Sequence, residues 1–344
     1  MSKTTSTRCL RMTTILMLLK LSFGLNIVIT GSSQGIGMDA AKRLIQQNHR
    51  VYHACRNEER AKVAVEGCGG GIPMVCNLGD FDSIRTFAKD VTEDQKLDVL
   101  CLNAGIAPSG KATEPKLTED GYEECIGTNH LGHFLLANLL VPTLNTNSGR
   151  LVVTASSVHD PESPGGTING KGGATLGNLS GLGVKLNTNE KNKATMPNGD
   201  TTYDARKVYN DSKLCNVLFC REAYKRWGTN AANIRSFNPG LIPTSGLFRE
   251  PRKDNWLGAA VFEFLSTYLL RIAVPIEIGG KRLEYMITSD EIPSGSYYAA
   301  PSGSKATTKA DGFAQSTISE EASDDILASK LWDRSLEIVG LSNE

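Results

Sequence analysis

With 344 residues, 40% of them hydrophobic and 22% charged, the chain can bury the core of one large α/β domain or two smaller ones, and its composition is not that of a disordered protein. Its 37 basic and 37 acidic residues cancel, so nothing points to nucleic acid or an anionic surface as the main partner, although a local phosphate site stays open. The eight cysteines include no Cys-x-x-Cys pair and fall within apparent strands and helices, as expected of reduced thiols rather than a disulfide framework or a zinc site.

Residues 1–24 stand apart. They are rich in Ser and Thr, carry Lys3, Arg8, Arg11 and Lys20 and contain no acid. The apolar run Thr14 to Leu19 is too short to span a bilayer. The segment reads as a targeting peptide or a disordered start, and composition does not choose a plastid over another route.

Leu25 to Thr30 is an apolar, β-branched run, the pattern of a strand buried on both faces. Gly31-Ser32-Ser33-Gln34-Gly35-Ile36-Gly37 follows, then helical spacing through Ile36, Ala40, Leu44 and Ile45. Strand, glycine loop and helix in this order form a dinucleotide cradle: glycines let the backbone approach the pyrophosphate, and the helix start offers N–H donors. Gly31, Ser33, Gln34, Gly35, Ile36 and Gly37 are its candidate residues. Arg50 to Cys55 reads as a second strand ending at Arg56, where an arginine suits the 2′-phosphate of NADP. Ile72 to Cys76 is a third strand, and Asp80 caps a helix carrying Phe81, Ile84, Phe87 and Val91.

Leu97 to Leu102 is a fourth strand, ending at Asn103-Ala104-Gly105, whose small residues leave space for a ligand at the sheet edge. Cys125 to Leu136 is an apolar helix with Asn129 inside it, and a buried Asn must find hydrogen-bond partners. His130 and His133 lack an acidic or Cys neighbour at ligand spacing and read as packing histidines, not metal ligands. Gly149 to Thr154 is a fifth strand, closing on Ser156-Ser157.

Tyr209 and Lys213 are four residues apart and share one helix face. A nearby ammonium favours the phenolate and lowers the tyrosine pKa from its usual value of about 10, so the pair is a plausible acid/base unit. Ile234 to Phe237 is the sixth strand, followed by Asn238-Pro239-Gly240-Leu241-Ile242-Pro243-Thr244. Trp256 to Val274 is strongly apolar; Glu263 speaks against a spanning helix and leaves a lid over an apolar substrate or a helix lying on a membrane surface. Ser296 to Ala299 is a last strand, and Asp324 and Asp325 start a final helix through Ile326, Leu331, Leu336 and Val339 that stops at Gly340. No internal repeat or second core is visible.

Thr30-Gly31-x-x-x-Gly35-Ile36-Gly37, Asn103-Ala104-Gly105, Asn129, Ser157 and Tyr209-x-x-x-Lys213 together resemble the short-chain dehydrogenase/reductases. The resemblance implies an oxidoreductase built as a single doubly wound Rossmann domain over 25–344, α/β with a parallel sheet and the nicotinamide at the carboxyl ends of the strands. It implies Tyr209 as proton donor or acceptor, Lys213 as ribose holder, Ser157 as orienter of the substrate oxygen and Asn129 as anchor of a relay water. It further implies that Pro239-Gly240 covers the nicotinamide of NADPH and that Thr244 binds its carboxamide or phosphates.

The 51 residues between Ser157 and Tyr209 contain a long insert, His159 to Thr202, rich in Gly, Asn, Thr and Ser. Lying between two candidate catalytic positions, it is expected to border the substrate pocket. The insert, the Tyr209 helix, Thr244 to Glu250 and Glu321 to Asp325 resemble the light-dependent protochlorophyllide oxidoreductase branch, which reduces one C=C bond of a porphyrin-type ring. Leu241, Phe237 and Ser157 depart from that branch. They leave open an NADP-dependent carbonyl or alcohol enzyme of an apolar substrate, as in retinol-dehydrogenase-like members, and a non-catalytic NADP-binding protein. A homo-oligomer is also compatible with this reading.

Overall fold

Alternate residues of the central strands point into two different cores, because successive side chains of a strand leave opposite faces of its sheet. In β1 (Asn26–Thr30), Ile27 and Ile29 join one core and Val28 the other. In β5 (Arg150–Thr154), Val152 faces the first and Leu151 and Val153 the second. A sheet buried this way needs helices on both faces.

The computed structural model describes residues 24–94, 96–145, 149–167, 170–186, 193, 195–228, 231–248, 252–253 and 256–342. The other strands are β2 (Arg50–Cys55), β3 (Ile72–Val75), β4 (Val99–Leu102), β6 (Asn233–Phe237), β7 (Ser296–Ala299) and β8 (Ala314–Gln315). They form one sheet in the order β3-β2-β1-β4-β5-β6-β7-β8, parallel except for the antiparallel pair β7–β8. The expected parallel sheet is present, and β8 adds a short antiparallel strand at its edge. At two residues it is too short to show any periodicity, and pairing with β7 alone creates it.

One face is covered by α1 (Gly35–Gln46), whose Ala40, Ala41 and Leu44 are buried, and by helix Ile276–Thr288, with Cys68 at the end of α2 (Glu58–Cys68) joining the same core. Gly279 and Gly280 allow the close packing: a Cβ at Gly280 would meet Asp39 Oδ2 at 2.1 Å and one at Gly279 would meet Ile36 Cγ2 at 2.5 Å.

The opposite face carries α3 (Phe81–Asp94), then α4, which runs through Glu124–Ile126, a π-helical stretch Gly127–Gly132 and His133–Leu140. It also carries α5 (Ala205–Trp227) and a C-terminal helix, Asp325–Ile338. Phe134, Phe219, Trp227 and Trp332 interlock there with centroid separations of 4.9 to 6.3 Å, spacings that favour aromatic contact.

The expected caps are present. Asp80 Oδ1 accepts from the N–H groups of Asp82 and Ser83, and Asp324 Oδ1 from those of Ile326 and Leu327. In chain order the remaining helices are α6 (Trp256–Phe264, continued by the π-helical Leu265–Leu269), α7 (Ile276–Thr288) and α8 (Asp325–Ile338). The targeting reading of the N-terminus lies outside the described residues apart from Gly24, as do Arg249 and Glu250.

Candidate active site

The strand order reverses between β1 and β4, and the carboxyl ends of these strands open a crevice where an open α/β sheet binds ligands. A continuous cleft of about 930 Å³ begins there. Gly31, Ser33, Gln34, Gly35, Ile36 and Gly37 line one end.

The glycines are needed for shape. Gly31 and Gly35 have φ of 70° and 58°, and a Cβ on Gly31 would meet Ala104 Cα at 2.8 Å. A Cβ on Gly37 would lie 2.6 Å from both Asn103 Nδ2 and Gly31 O. No side chain caps α1 and its first turn holds no acid, so its start is free to receive an anion. A backbone cradle, an uncompensated helix start and two nearby arginines fit a phosphorylated dinucleotide. Arg56 stands exposed at the end of β2, and Arg60, one turn into α2, lines the same part of the cleft.

Thr30 ties this end together. Its Oγ1 accepts from the N–H groups of Asn103 (2.9 Å) and Ala104 (3.0 Å), while Asn103 Nδ2 donates to Thr30 O at 3.0 Å. Asn103, Ala104 and Gly105 all border the cleft. Asn129 is buried just behind it, bonded to the backbone of Ile106 in both directions at 2.9 Å and donating to Ser212 Oγ at 3.0 Å. Its backbone carbonyl faces His133 Nδ1 at 3.1 Å.

α5 starts at Asp204, whose side chain accepts from the N–H groups of Arg206 and Lys207, and it carries Tyr209 and Lys213 to the middle of the cleft. Lys213 is 3% exposed and donates to Thr154 O at 3.2 Å; its Nζ lies 5.7 Å from the Tyr209 ring centroid. Burial lowers the Lys213 pKa to about 8 and raises that of Tyr209, a rise that the nearby Ser156 hydroxyl opposes. Desolvation, rather than attraction to Lys213, dominates the phenol. Ser156 and Tyr209 both line the cleft. Ser157 lines it beside Ser156, with its carbonyl oxygen 2.6 Å from Ser163 Oγ.

Pro239 and Gly240 also border the cleft. Gly240 takes φ of 95° over Arg282, whose guanidinium donates to Pro239 O (2.8 Å), Ser304 O (2.7 Å) and Ala306 O (2.8 Å). Thr244 is exposed and the structure does not bring it to the cleft; its neighbour Ser245 lines the wall instead.

The far end is formed by Val158, by His159, Asp160 and Ser163 to Gly165 of the insert, and by Phe262, Ile272 and Val274 from the apolar segment. Both segments thus reach the cleft, although the insert has no regular strand or long helix among its described residues. His130 Nε2 pairs with Ser335 Oγ at 2.8 Å and His133 Nε2 with Thr30 Oγ1 at 3.0 Å, so both are packing histidines. The seven described cysteines are buried and free.

Sequence reasoning gave no site role to Thr30, Arg60, Ser156, Asn210, Ser245 and Arg282. Arg60, four residues after Arg56, and Ser156, beside Ser157, were legible as neighbours; Asn210 and Arg282 carry no local signal.

Comparisons with known proteins agree with this geometry. A family model described as short chain dehydrogenase matches residues 25–168. The chloroplastic protochlorophyllide reductase B of Hordeum vulgare is 35% identical over 329 residues, covering 92% of this chain and 79% of that protein. The chloroplastic protochlorophyllide reductase of Pisum sativum is 34% identical over 328 residues, covering 92% and 78%. Among solved structures, a protein from Mycobacterium Paratuberculosis superposes with a TM-score of 0.65 at 24% identity over 93% of this chain and 95% of that one. Levodione reductase superposes with a TM-score of 0.56 at 16% identity over 81% and 96%. These two structures speak for the fold.

Proposed function

The chain belongs to the short-chain dehydrogenase/reductase family, as an NADP-dependent oxidoreductase similar to the protochlorophyllide reductases, and from that premise we propose that it reduces one C=C bond of protochlorophyllide in chlorophyll biosynthesis, with NADPH and light. The observation that carries this reading is the single cleft running from the glycine turn, past Tyr209 and Lys213, to a far end walled by the insert and by Phe262, Ile272 and Val274. One end suits a phosphorylated dinucleotide and the other a large apolar ring.

The residues divide the work. The Gly31–Gly37 turn and the start of α1 hold the pyrophosphate, and Arg56 with Arg60 takes the 2′-phosphate. Pro239 and Gly240 close over the nicotinamide, which supplies a hydride to one carbon when NADPH is bound. Tyr209 gives its phenolic proton to the other carbon, so that one C–H bond forms at each end of the former double bond and the O–H bond of Tyr209 breaks. Lys213, held by Thr154 O, binds the ribose and stabilises the resulting phenolate. Asn129 supports the relay that returns a proton to Tyr209.

Helix α6 has no buried residue, and Trp256 and Leu269 are 73% and 70% exposed. This face supports peripheral contact with a lipid surface, while Phe262 turned to the cleft supports a lid role for the same segment. No described helix is long and apolar enough to cross a membrane. The chloroplastic relatives support a plastid location.

Ser156 and Ser157 beside Tyr209 favour a second reading, reduction of an apolar carbonyl compound. Purified protein supplied with NADPH and protochlorophyllide separates the two. Pigment reduction only under illumination supports the first reading; no pigment binding, together with dark turnover of an aldehyde or ketone, supports the second.

A further inference from the structure

We propose that Asn210, the residue after Tyr209 on α5, is a positioning residue that fixes the insert as the substrate wall of the cleft and thereby sets pigment affinity. The proposal rests on the reading of the cleft given above and concerns its far end only.

The insert has no sheet or long helix of its own, so its shape depends on bonds to neighbours. Asn210 is 2% exposed, and its amide nitrogen donates one hydrogen to Gly166 O at 2.9 Å and the other to Gly172 O at 2.6 Å. One nitrogen thereby clips together two carbonyls six positions apart. Gly166 leaves no room for a side chain, since a Cβ there would lie 2.0 Å from Asp160 O.

The clip is tied to the cleft surface. Ser163 Oγ lies 2.6 Å from Ser157 O and 2.7 Å from Asp160 O, and Ser157, Val158, Ser163, Pro164 and Gly165 all face the cavity. A second fastening follows within one turn of α5. Asp211 Oδ1 accepts from Thr175 N at 3.0 Å, and Lys207 donates to Thr175 O at 2.8 Å and to Asp211 Oδ2 at 2.6 Å. The helix that presents Tyr209 therefore also holds the wall opposite it.

Asparagine is suited to this place. The site needs two hydrogens from one short, neutral group, and a buried amide is retained at low cost only when its donors are used. An aspartate would set a carboxylate against two carbonyl oxygens. An alanine would leave both carbonyls without a donor. On the helix Asn210 is rotated about 100° from Tyr209, so its loss leaves the phenol and Lys213 in place.

The test compares wild type with Asn210→Ala and Asn210→Asp as full-length proteins. It measures NADPH affinity by fluorescence, apparent KM for protochlorophyllide under illumination, and amide hydrogen exchange in residues 157–175. We expect KM to rise about tenfold in Asn210→Ala, the factor that corresponds to one ordinary hydrogen bond, and further in Asn210→Asp. Exchange in 157–175 should accelerate, with NADPH affinity and exchange in the central strands unchanged.

Equal losses of NADPH affinity and substrate affinity would mean a general structural role and overturn the proposal, as would unchanged exchange in the wall. If wild type neither binds nor reduces the pigment, the proposed substrate fails. The exchange measurement then still decides whether Asn210 holds the wall.

Discussion

His133 Nε2 lies 3.0 Å from the Thr30 hydroxyl, and through this pair the His133–Leu140 part of α4 is joined at its first residue to the last residue of β1. Asn129 O can only accept, so His133 Nδ1 carries the hydrogen facing it, and in the neutral ring Nε2 accepts from Thr30. The Thr30 oxygen is then free to accept from Asn103 N and Ala104 N, which shape the floor of the cleft.

A pH dependence of stability follows. Burial lowers the pKa of His133, and likewise of His130, to about 3, against about 6.5 for a free histidine. Below about pH 6.5 the unfolded chain takes up protons that the folded chain refuses, so stability falls as pH drops from about 6.5 toward 3. Glu123, raised to about 7 by burial, acts with the opposite sign between about pH 7 and 4. The difference between wild type and His133→Gln isolates the histidine: urea midpoints of the variant should be lower at pH 7 but decline less steeply on acidification. Parallel declines would remove His133 as the cause.

Arg56→Asp should weaken NADPH binding by about 1.5–3 kcal/mol and spare NADH, through loss of a charge-assisted phosphate contact. Because Arg60 lines the same part of the cleft, the double change with Arg60→Ala should weaken NADPH further. Equal wild-type affinity for the two cofactors, measured by titration, would contradict this assignment.

Tyr209→Phe keeps the buried ring but removes the transferable proton. NADPH should still bind, while turnover falls by roughly 10²-fold or more. Lys213→Ala should impair both binding and turnover, since one ammonium serves the ribose and the phenol. Near-normal turnover of Tyr209→Phe would favour a non-catalytic NADP-binding protein.

Ser157 discriminates between substrates. A carbonyl reduction builds negative charge on an oxygen, and losing a donor there costs about 2–4 kcal/mol of transition-state stabilisation. A C=C reduction creates no such oxygen at the reacting carbons. Ser157→Ala should therefore retain light-driven pigment reduction, and Leu241→Cys should improve pigment binding. A collapse of activity in Ser157→Ala on a dark carbonyl substrate would instead support the carbonyl reading.

Arg282→Met should destabilise the protein by about 2 kcal/mol or more, as one buried and two partly buried carbonyl acceptors lose their donor. NADPH affinity should fall as well, because Pro239 and Gly240 lose their support. An unchanged urea midpoint would show that solvent replaces the guanidinium.

The sequence by itself determined the dinucleotide half of the molecule. The strand-glycine-helix order around Gly31 to Gly37, the small residues Asn103 to Gly105 and the four-residue spacing of Tyr209 and Lys213 are local patterns, set by strand and helix geometry within a few residues. Strands β1, β2 and β4 to β7 were legible because each is a short, mostly buried run, and β3 by its apolar residues at the sheet edge. Tertiary structure alone decided the rest. β8 exists only by pairing with β7. Thr244 turns outward while Ser245 faces the cleft, a choice made by the turn after Ile242 rather than by residue type. The insert lacks any periodic signal, and its course depends on single donors, Asn210 and Asp211 with Lys207, meeting carbonyls and amides over thirty positions away in sequence. Such bonds depend on where two distant backbones come together, and no local periodicity records that.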